Sequence, residues 1–206
     1  SGELISALTI SPDRHVFAIG QSSPIENSIH IYDLHSFRKR RRIALPKGCS
    51  VNQQFKRILI KLGGISIAFS VDSKYLVVQS GKPDWTLGFY AWEKGKPLAS
   101  ISSTTGDLQA HQVSFNPYDG NEIMVTGKGF VGTYRYLDNV LKHTLIDAPS
   151  NQVFFSVKRL KMIKIVIELH QAVWLTTERV VVASKEGKLL LIEGGQVAYT
   201  ENFGNN

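Results

Sequence analysis

Short apolar runs separated by tight polar turns recur along the whole chain, and one such unit occurs four times. Its clearest copy is Phe69-Ser70-Val71-Asp72-Ser73-Lys74-Tyr75-Leu76. The first copy is Ile10-Ser11-Pro12-Asp13-Arg14-His15-Val16-Phe17, and the third is Phe115-Asn116-Pro117-Tyr118-Asp119-Gly120-Asn121-Glu122-Ile123. The fourth, most worn, is Trp174-Leu175-Thr176-Thr177-Glu178-Arg179-Val180. Each reads as a strand, a polar turn and a second strand. The aligned residues Ile10, Phe69, Phe115 and Trp174 lie 59, 46 and 59 residues apart. The middle interval is close to the roughly 40–45 residues of a four-stranded propeller blade. The two longer intervals carry inserts.

Four strands are predicted in each unit, all short and rich in β-branched and aromatic residues. They are Ala7–Ile10, His15–Ile19, Ser28–Tyr32 and Arg41–Leu45 in the first, then Ser66–Phe69, Tyr75–Gln79, Thr86–Trp92 and Leu98–Ile101 in the second. The third unit gives Gln112–Phe115, Ile123–Thr126, Gly129–Tyr134 and Leu141–Ile146, and the fourth Ala172–Leu175, Val180–Ala183, Lys188–Ile192 and Gln196–Thr200. Leu87, Phe89 and Ala91 alternate with Gly88, Tyr90 and Trp92, which suits a strand packed between two neighbouring sheets. Proline in Ser11-Pro12-Asp13 and Asn116-Pro117 presets a turn, while Asp119-Gly120 and Glu186-Gly187 supply a residue that tolerates positive φ. Gly127-Lys128-Gly129 reads as a hairpin turn, being too short to cradle a phosphate. One blade cannot bury both its faces, whereas blades stacked around an axis can. The fold class is therefore all-β, a WD40-like β-propeller with about four four-stranded blades. Residues 3–201 form the blades, at 3–46, 65–102, 108–146 and 167–201, with inserts at 47–64 and 147–166. Irregular inserts and a start at Ser1-Gly2 without methionine, which reads as a tag remnant, suggest an excised part of a larger propeller. The insert segments 55–60 and 157–163 fit helix, strand or loop equally, because periodicity does not arbitrate in runs this short.

Composition narrows the chemistry. In 206 residues, 43% are hydrophobic and 20% charged, ordinary values for a globular domain. A single cysteine, Cys49, excludes an internal disulfide framework and a cysteine-based zinc site, and fits a reducing compartment. No apolar run approaches the roughly 20 residues of a membrane-spanning helix. The net charge is +7. Much of it lies in Arg38-Lys39-Arg40-Arg41-Arg42, with further clusters at Lys56-Arg57-Lys61 and Lys158-Arg159-Lys161-Lys164. Such runs bind phosphates, acidic proteins or membrane surfaces.

The strand-end dipeptides are degenerate versions of Trp-Asp: Tyr32-Asp33 and Trp92-Glu93, then Tyr134-Arg135 and Ile192-Glu193 further from it. With the segments 8–14, 67–76, 84–87, 92–94, 112–117, 125–129 and 187–193, they form an ordered, collinear set over about four-fifths of the chain. This set resembles WD-repeat proteins, and more specifically the N-terminal propeller of the axonemal cilia- and flagella-associated WD-repeat proteins of type 57. The resemblance implies a long axonemal protein, localised to the cilium or flagellum and its cytoskeleton. Propellers followed by coiled coil would help assemble or dock inner dynein arms through protein partners, without enzymatic activity, cofactor or small-molecule substrate.

No nucleophile elbow, phosphate loop or dinucleotide fingerprint appears, and the six histidines show no metal-ligand spacing. Asp13, Asp72 and Asp119 recur at equivalent turns, where each carboxylate is expected to accept backbone N–H bonds. Trp92 and Trp174 fall at strand positions suited to the core. Trp85 follows Pro83-Asp84 in a loop and is the expected exposed anchor for a protein partner. The basic run Arg38, Lys39, Arg40, Arg41 and Arg42 admits three readings. It is a solvated outer strand whose charges deter edge-to-edge pairing, a rim for an acidic or microtubule-proximal protein, or, as the alternative to a protein scaffold, a nucleic-acid patch.

Overall fold

Fifteen strands and no helix make up the described residues, which are 4–22, 26–45, 66–81, 85–103, 109–144, 163–194 and 196–203 of a computed structural model. The insert 47–64, Cys49 and most of the insert 147–166 lie outside them, as do the basic clusters 56–61 and 158–161. Strands β1 (Leu4–Ile10), β2 (Val16–Ser22), β3 (Asn27–Asp33) and β4 (Lys39–Ala44) form the first antiparallel blade in consecutive order. The second is β5 (Ser66–Phe69), β6 (Tyr75–Gln79), β7 (Thr86–Ala91) and β8 (Lys96–Ser102). The rest of the chain is one seven-element sheet: β9 (Ala110–Asn116), β10 (Asp119–Leu137), β11 (Val140–Thr144), β12 (Ile163–Trp174), β13 (Arg179–Ser184), β14 (Lys188–Glu193) and β15 (Gln196–Asn202).

That sheet resolves into two blades once β10 is measured. Sixteen residues of extended strand would span about 50 Å, yet Arg135 Nη2 lies 2.6 Å from Asp119 Oδ2. The element therefore doubles back. Its first limb pairs with β9 through Gly127↔Ala110, and its second pairs with β11 from Thr133↔Thr144 onward. The reversal falls at the middle of the element, where Gly127-Lys128-Gly129 reads as a turn. The tip continues into the fourth blade, because Lys128, Phe130 and Val131 pair with Glu168, Lys164 and Ile163 of β12. So β12 begins at Ile163, inside the stretch assigned to an insert from its sequence. A partner strand in another blade extends it, and no local pattern reports such a partner.

Alternation of side chains across each strand builds three cores, one per interface. In β7, Leu87 and Phe89 face the third blade, while Tyr90, with Trp92 just beyond the strand, faces the first. Val77 joins the former core and Leu76 and Val78 the latter. A third core seats Ala172, Val180, Val182, Leu190 and Ile192 of the fourth blade on Met124 and Val131 of the third. Polar ties accompany the apolar ones: Val113 N–H donates to Ser66 Oγ at 3.0 Å, and Ala172 N–H to Gln112 Oε1 at 2.9 Å. Both link the first strands of adjacent blades, which places those strands together on the inner side.

Register corrects one alignment. Phe17↔Tyr32 in the first blade corresponds to Leu76↔Tyr90 in the second and to Val180↔Ile192 in the fourth. Tyr32-Asp33 and Ile192-Glu193 are therefore equivalent, but their counterpart in the second blade is Tyr90-Ala91. Trp92-Glu93 sits two residues later, in the turn before β8, where the Trp92 indole N–H donates to Ser73 O at 2.7 Å.

Candidate functional site

The turns joining first to second and third to fourth strands emerge on one face of an antiparallel blade, and on that face the repeated turns are tightly built. Ser11 Oγ accepts from Val16 N–H and donates to Asp13 Oδ1 at 2.5 Å, and Asp13 Oδ1 accepts from His15 N–H at 3.1 Å. The second blade repeats this through Ser70, Asp72 and Lys74 N–H. In the third blade, Asp119 Oδ1 accepts from Asn121 N–H. Each turn aspartate is thus held by backbone, as its residue type and position suggest. Arg14 and Ser73 occupy the left-handed region at φ 58° and 59°, the same place in the two copies. Turns also grip their neighbours. Asp13 N–H donates to Ser73 Oγ across the first interface, and Asn116 Nδ2 and Tyr118 Oη donate to Thr177 O and Leu175 O across the third.

The exposed apolar residues of this face are Val71, Tyr118 and Leu175 on the inner turns, with Phe37, Leu137 and Val140 on or beside the outer ones. Sequence reasoning did not single them out. The signal was present, since an apolar residue inside a polar turn packs against nothing local. Clustered aromatic and aliphatic side chains rimmed by charge are where protein partners dock.

The basic run borders this face, but most of its charge is engaged. Arg40 donates through Nε and Nη2 to Asp33 Oδ2, at 3.1 and 2.5 Å. Arg42 reaches Glu26 Oε2 at 2.6 Å, and Arg41 donates to Glu93 O of the next blade at 2.5 Å. The Lys39 ammonium lies 5.8 Å from the Tyr32 ring centroid, a cation–π distance. Arg38 is exposed ahead of β4. The run is the outer strand of its blade plus the residue before it.

Trp85 departs from its expected role. It is only 4% exposed and belongs to the core between the second and third blades, with Leu87, Phe130 and Tyr134. Its carbonyl accepts two bonds from Ser103, from N–H at 2.8 Å and Oγ at 2.7 Å, and its φ of 42° turns the residue into the left-handed region. Neighbouring proline and aspartate mark a loop but do not fix which way a side chain points. Trp92 is buried in the first interface, and Trp174 packs partly buried on the third.

Ionisation follows the same network. The Ser11 hydroxyl foremost, with His15 N–H, holds Asp13 below the ordinary aspartate range against a smaller burial effect. Burial works against ionisation of Asp72, but the Ser70 hydroxyl and the N–H and charge of Lys74 outweigh it and lower its pKa too. Ser36 N–H and Arg40 hold Asp33 far below that range. A carboxylate whose pKa is depressed on folding binds fewer protons than in the unfolded chain. Its stabilisation is complete above the unfolded value of about 3.9 and is lost as pH falls through the folded value. The urea midpoint should therefore fall as pH is lowered from about 4 through the depressed folded values of these aspartates. An Asp13→Asn, Asp72→Asn double variant should show a shallower drop, and an unchanged slope would count against these turns as the origin. Among the described residues no group of three or more histidine, cysteine or acidic side chains could hold a metal.

Comparison with known proteins identifies relatives. No family model matches the chain. Cilia- and flagella-associated protein 57 of Mus musculus is 30% identical over 189 residues, which is 92% of this chain and 13% of that protein. Cilia- and flagella-associated protein 57 C of Tetrahymena thermophila is 32% identical over 139 residues, 65% of this chain and 10% of that one. Cilia- and flagella-associated protein 43 of Chlamydomonas reinhardtii is 33% identical over 86 residues. The matched stretches span only 13%, 10% and 5% of the lengths of these three relatives. Among solved structures, the β-propeller domain of Myceliophteria thermophila Cps50 (Swd1) superposes on the whole chain with a TM-score of 0.69 at 14% identity, and the chain covers 57% of it. The chain is a WD-repeat β-propeller whose sequence resembles cilia- and flagella-associated protein 57 along almost all of its length.

Proposed function

We propose that these blades are a non-enzymatic scaffold of the cilium or flagellum that holds protein partners in the axoneme, in the assembly or docking of inner dynein arms. The observation that carries this reading is the collinear similarity to a cilia- and flagella-associated protein across nine-tenths of the chain. The site supports it: the turn face offers apolar and aromatic side chains, a chemistry suited to protein rather than to turnover. The partner would meet Val71, Tyr118 and Leu175, with Arg38 and Lys39 at the border favouring an acidic surface.

A nucleic-acid scaffold is the second reading and rests on net charge. It is weakened where Arg40 and Arg42 are already paired with Asp33 and Glu26. Phosphate recognition needs free cations, whereas paired arginines belong to a stable outer strand.

Co-sedimentation of the protein with salt-stripped axonemes tests the proposal. Saturable binding should weaken several-fold between about 0.05 and 0.3 M salt, as exposed charges are screened. Val71→Asp with Tyr118→Asp should abolish it while lowering stability by no more than the one inter-blade hydrogen bond that Tyr118 gives up, about 1 kcal/mol. Binding to bare RNA of the same strength, insensitive to those two substitutions, would reject it.

A further inference from the structure

The turn face is divided by charge, and the division falls between the second and third blades. Over the first two blades Arg14, Arg38, Lys39, Lys94 and Lys96 are exposed, and none is paired with a carboxylate among the described residues. Most of the acids beside them are engaged. Asp33 holds Arg40, Asp72 lies 3.7 Å from Lys74, and Asp13 is bonded within its own turn and lies 3.3 Å from the His15 ring. Glu93 is exposed among these cations.

The last two blades reverse the sign. Their cations are the engaged ones: Arg135 is paired with Asp119 at 2.6 Å and Arg179 with Glu193 at 2.7 Å. Asp138 and Glu178 stand exposed on the turns with no cation against them among the described residues. Glu122, beside them, is bonded to the neutral Asn116 amide at 2.7 Å. Folding does not demand this segregation, because exposed charges add little to stability whatever their sign. The apolar side chains of the same face run across the division. Val71 stands on the second blade, Tyr118 on the third and Leu175 on the fourth, one on each inner turn. An apolar line with cations at one end and carboxylates at the other has a direction, and complementary charge fixes the orientation of a bound partner more than it adds affinity.

We propose that the partner of this face is an elongated segment, apolar in the middle, with acidic residues at the end over the first two blades and basic residues at the end over the last two. This rests on the turn face being the docking surface and adds the direction in which its partner lies. A uniformly acidic segment would meet Asp138 and Glu178 as like charges, and a uniformly basic one would meet Arg14, Arg38 and Lys94.

Fluorescence anisotropy with three labelled peptides that share a leucine-rich middle tests this. The first has glutamates at one end and lysines at the other. The second has the same residues with the charges interleaved, and the third has glutamates at both ends. At low salt the first should bind about 10-fold tighter than the second, through several exposed ion pairs. The preference should vanish by about 0.3 M salt. Asp138→Asn with Glu178→Lys removes the acidic end. Both side chains are exposed, and asparagine tolerates the φ of 52° at position 138, so the urea midpoint should not move. In this variant the first peptide should lose its advantage and the doubly acidic peptide should gain affinity. Arg38→Glu with Lys94→Glu should also remove the advantage while weakening the doubly acidic peptide. Equal binding of the first two peptides to the parent protein would overturn the proposal. So would tightest binding of the doubly acidic peptide, or no binding of any of the three. Co-sedimentation with axonemes separates this inference from the ciliary reading. Lost co-sedimentation with the peptide preference intact rejects only the latter, and axoneme binding without the preference rejects only the former.

Discussion

Gly127→Ala is expected to lower stability by about 3 kcal/mol or more, read as a fall in the urea midpoint with little change in slope. A Cβ at this position would lie 2.0 Å from Gln109 O, 2.4 Å from Phe130 Cε1 and 2.9 Å from Ala110 Cα. Two of these three are backbone atoms that cannot swing aside. They belong to the place where β10 turns back, pairs with Ala110 and sends Lys128 N–H to Gln109 O at 2.7 Å. Relief would have to come from the third blade parting from its own first strand, or from Phe130, fully buried in the second core, giving up its packing. Gly120→Ala is the control, since nothing lies within 4 Å of the added methyl and its φ is not left-handed. It should stay within about 0.5 kcal/mol of the parent. Equal midpoints for the two variants would refute this account of the bend.

Trp85→Ala is expected to cost about 3–5 kcal/mol, the loss of a large aromatic side chain from a packed core. An exposed anchor in a loop would lose under about 0.5 kcal/mol and show its effect only with a partner present. The two outcomes are far apart, so one urea titration decides. The indole fills the end of the core between the second and third blades, and the bonds from Ser103 fix its backbone. The same core holds Phe89, which stacks on Tyr136 at a centroid distance of 4.1 Å and meets Phe115 edge to face at 5.9 Å. A void left by Trp85 should loosen this stack as well, so the near-ultraviolet circular dichroism of the variant should fall. A midpoint within 0.5 kcal/mol of the parent would return Trp85 to the surface.

What was legible in the sequence is whatever depends on neighbours along the chain. Alternation placed β5 and β6 at their observed bounds and read β7 as a strand buried on both faces, because strand period and burial are local properties. The Ser-x-Asp turns were legible for the same reason, a short side chain bonding to its own backbone two residues on. What failed depends on distant partners. β12 starts at Ile163 because the tip of β10 pairs with it, and only the fold brings that tip near. Trp85 lies in the core between the second and third blades on a left-handed backbone, neither of which a loop signal reports. The basic run is the solvated outer strand that was one of its three readings, but which carboxylate or carbonyl each arginine meets — Asp33, Glu26 and the Glu93 carbonyl — depends on partners brought beside it only by the fold. The Trp-Asp-like dipeptides of the first and second blades aligned by composition although strand register separates them by two residues. Residue type alone could not see that shift.

These differences bear on function. Of the residues whose types suggest a partner site, Trp85 lies in a core and the three arginines of the outer strand are engaged. The binding surface proposed above uses instead the apolar side chains held on rigid turns. Turns locked to one another by Ser73, Thr177 and Leu175 present those side chains without ordering cost on binding, which suits a scaffold.

Proximity labelling in a flagellated cell, with the labelling enzyme fused to the full-length protein that contains these blades, tests the central claim most directly. Our reading expects the label along the axoneme and on inner dynein arm components, reduced when Val71 and Tyr118 are both aspartate. Labelling confined to the cell body or to chromatin, with axonemal proteins at background, would contradict it.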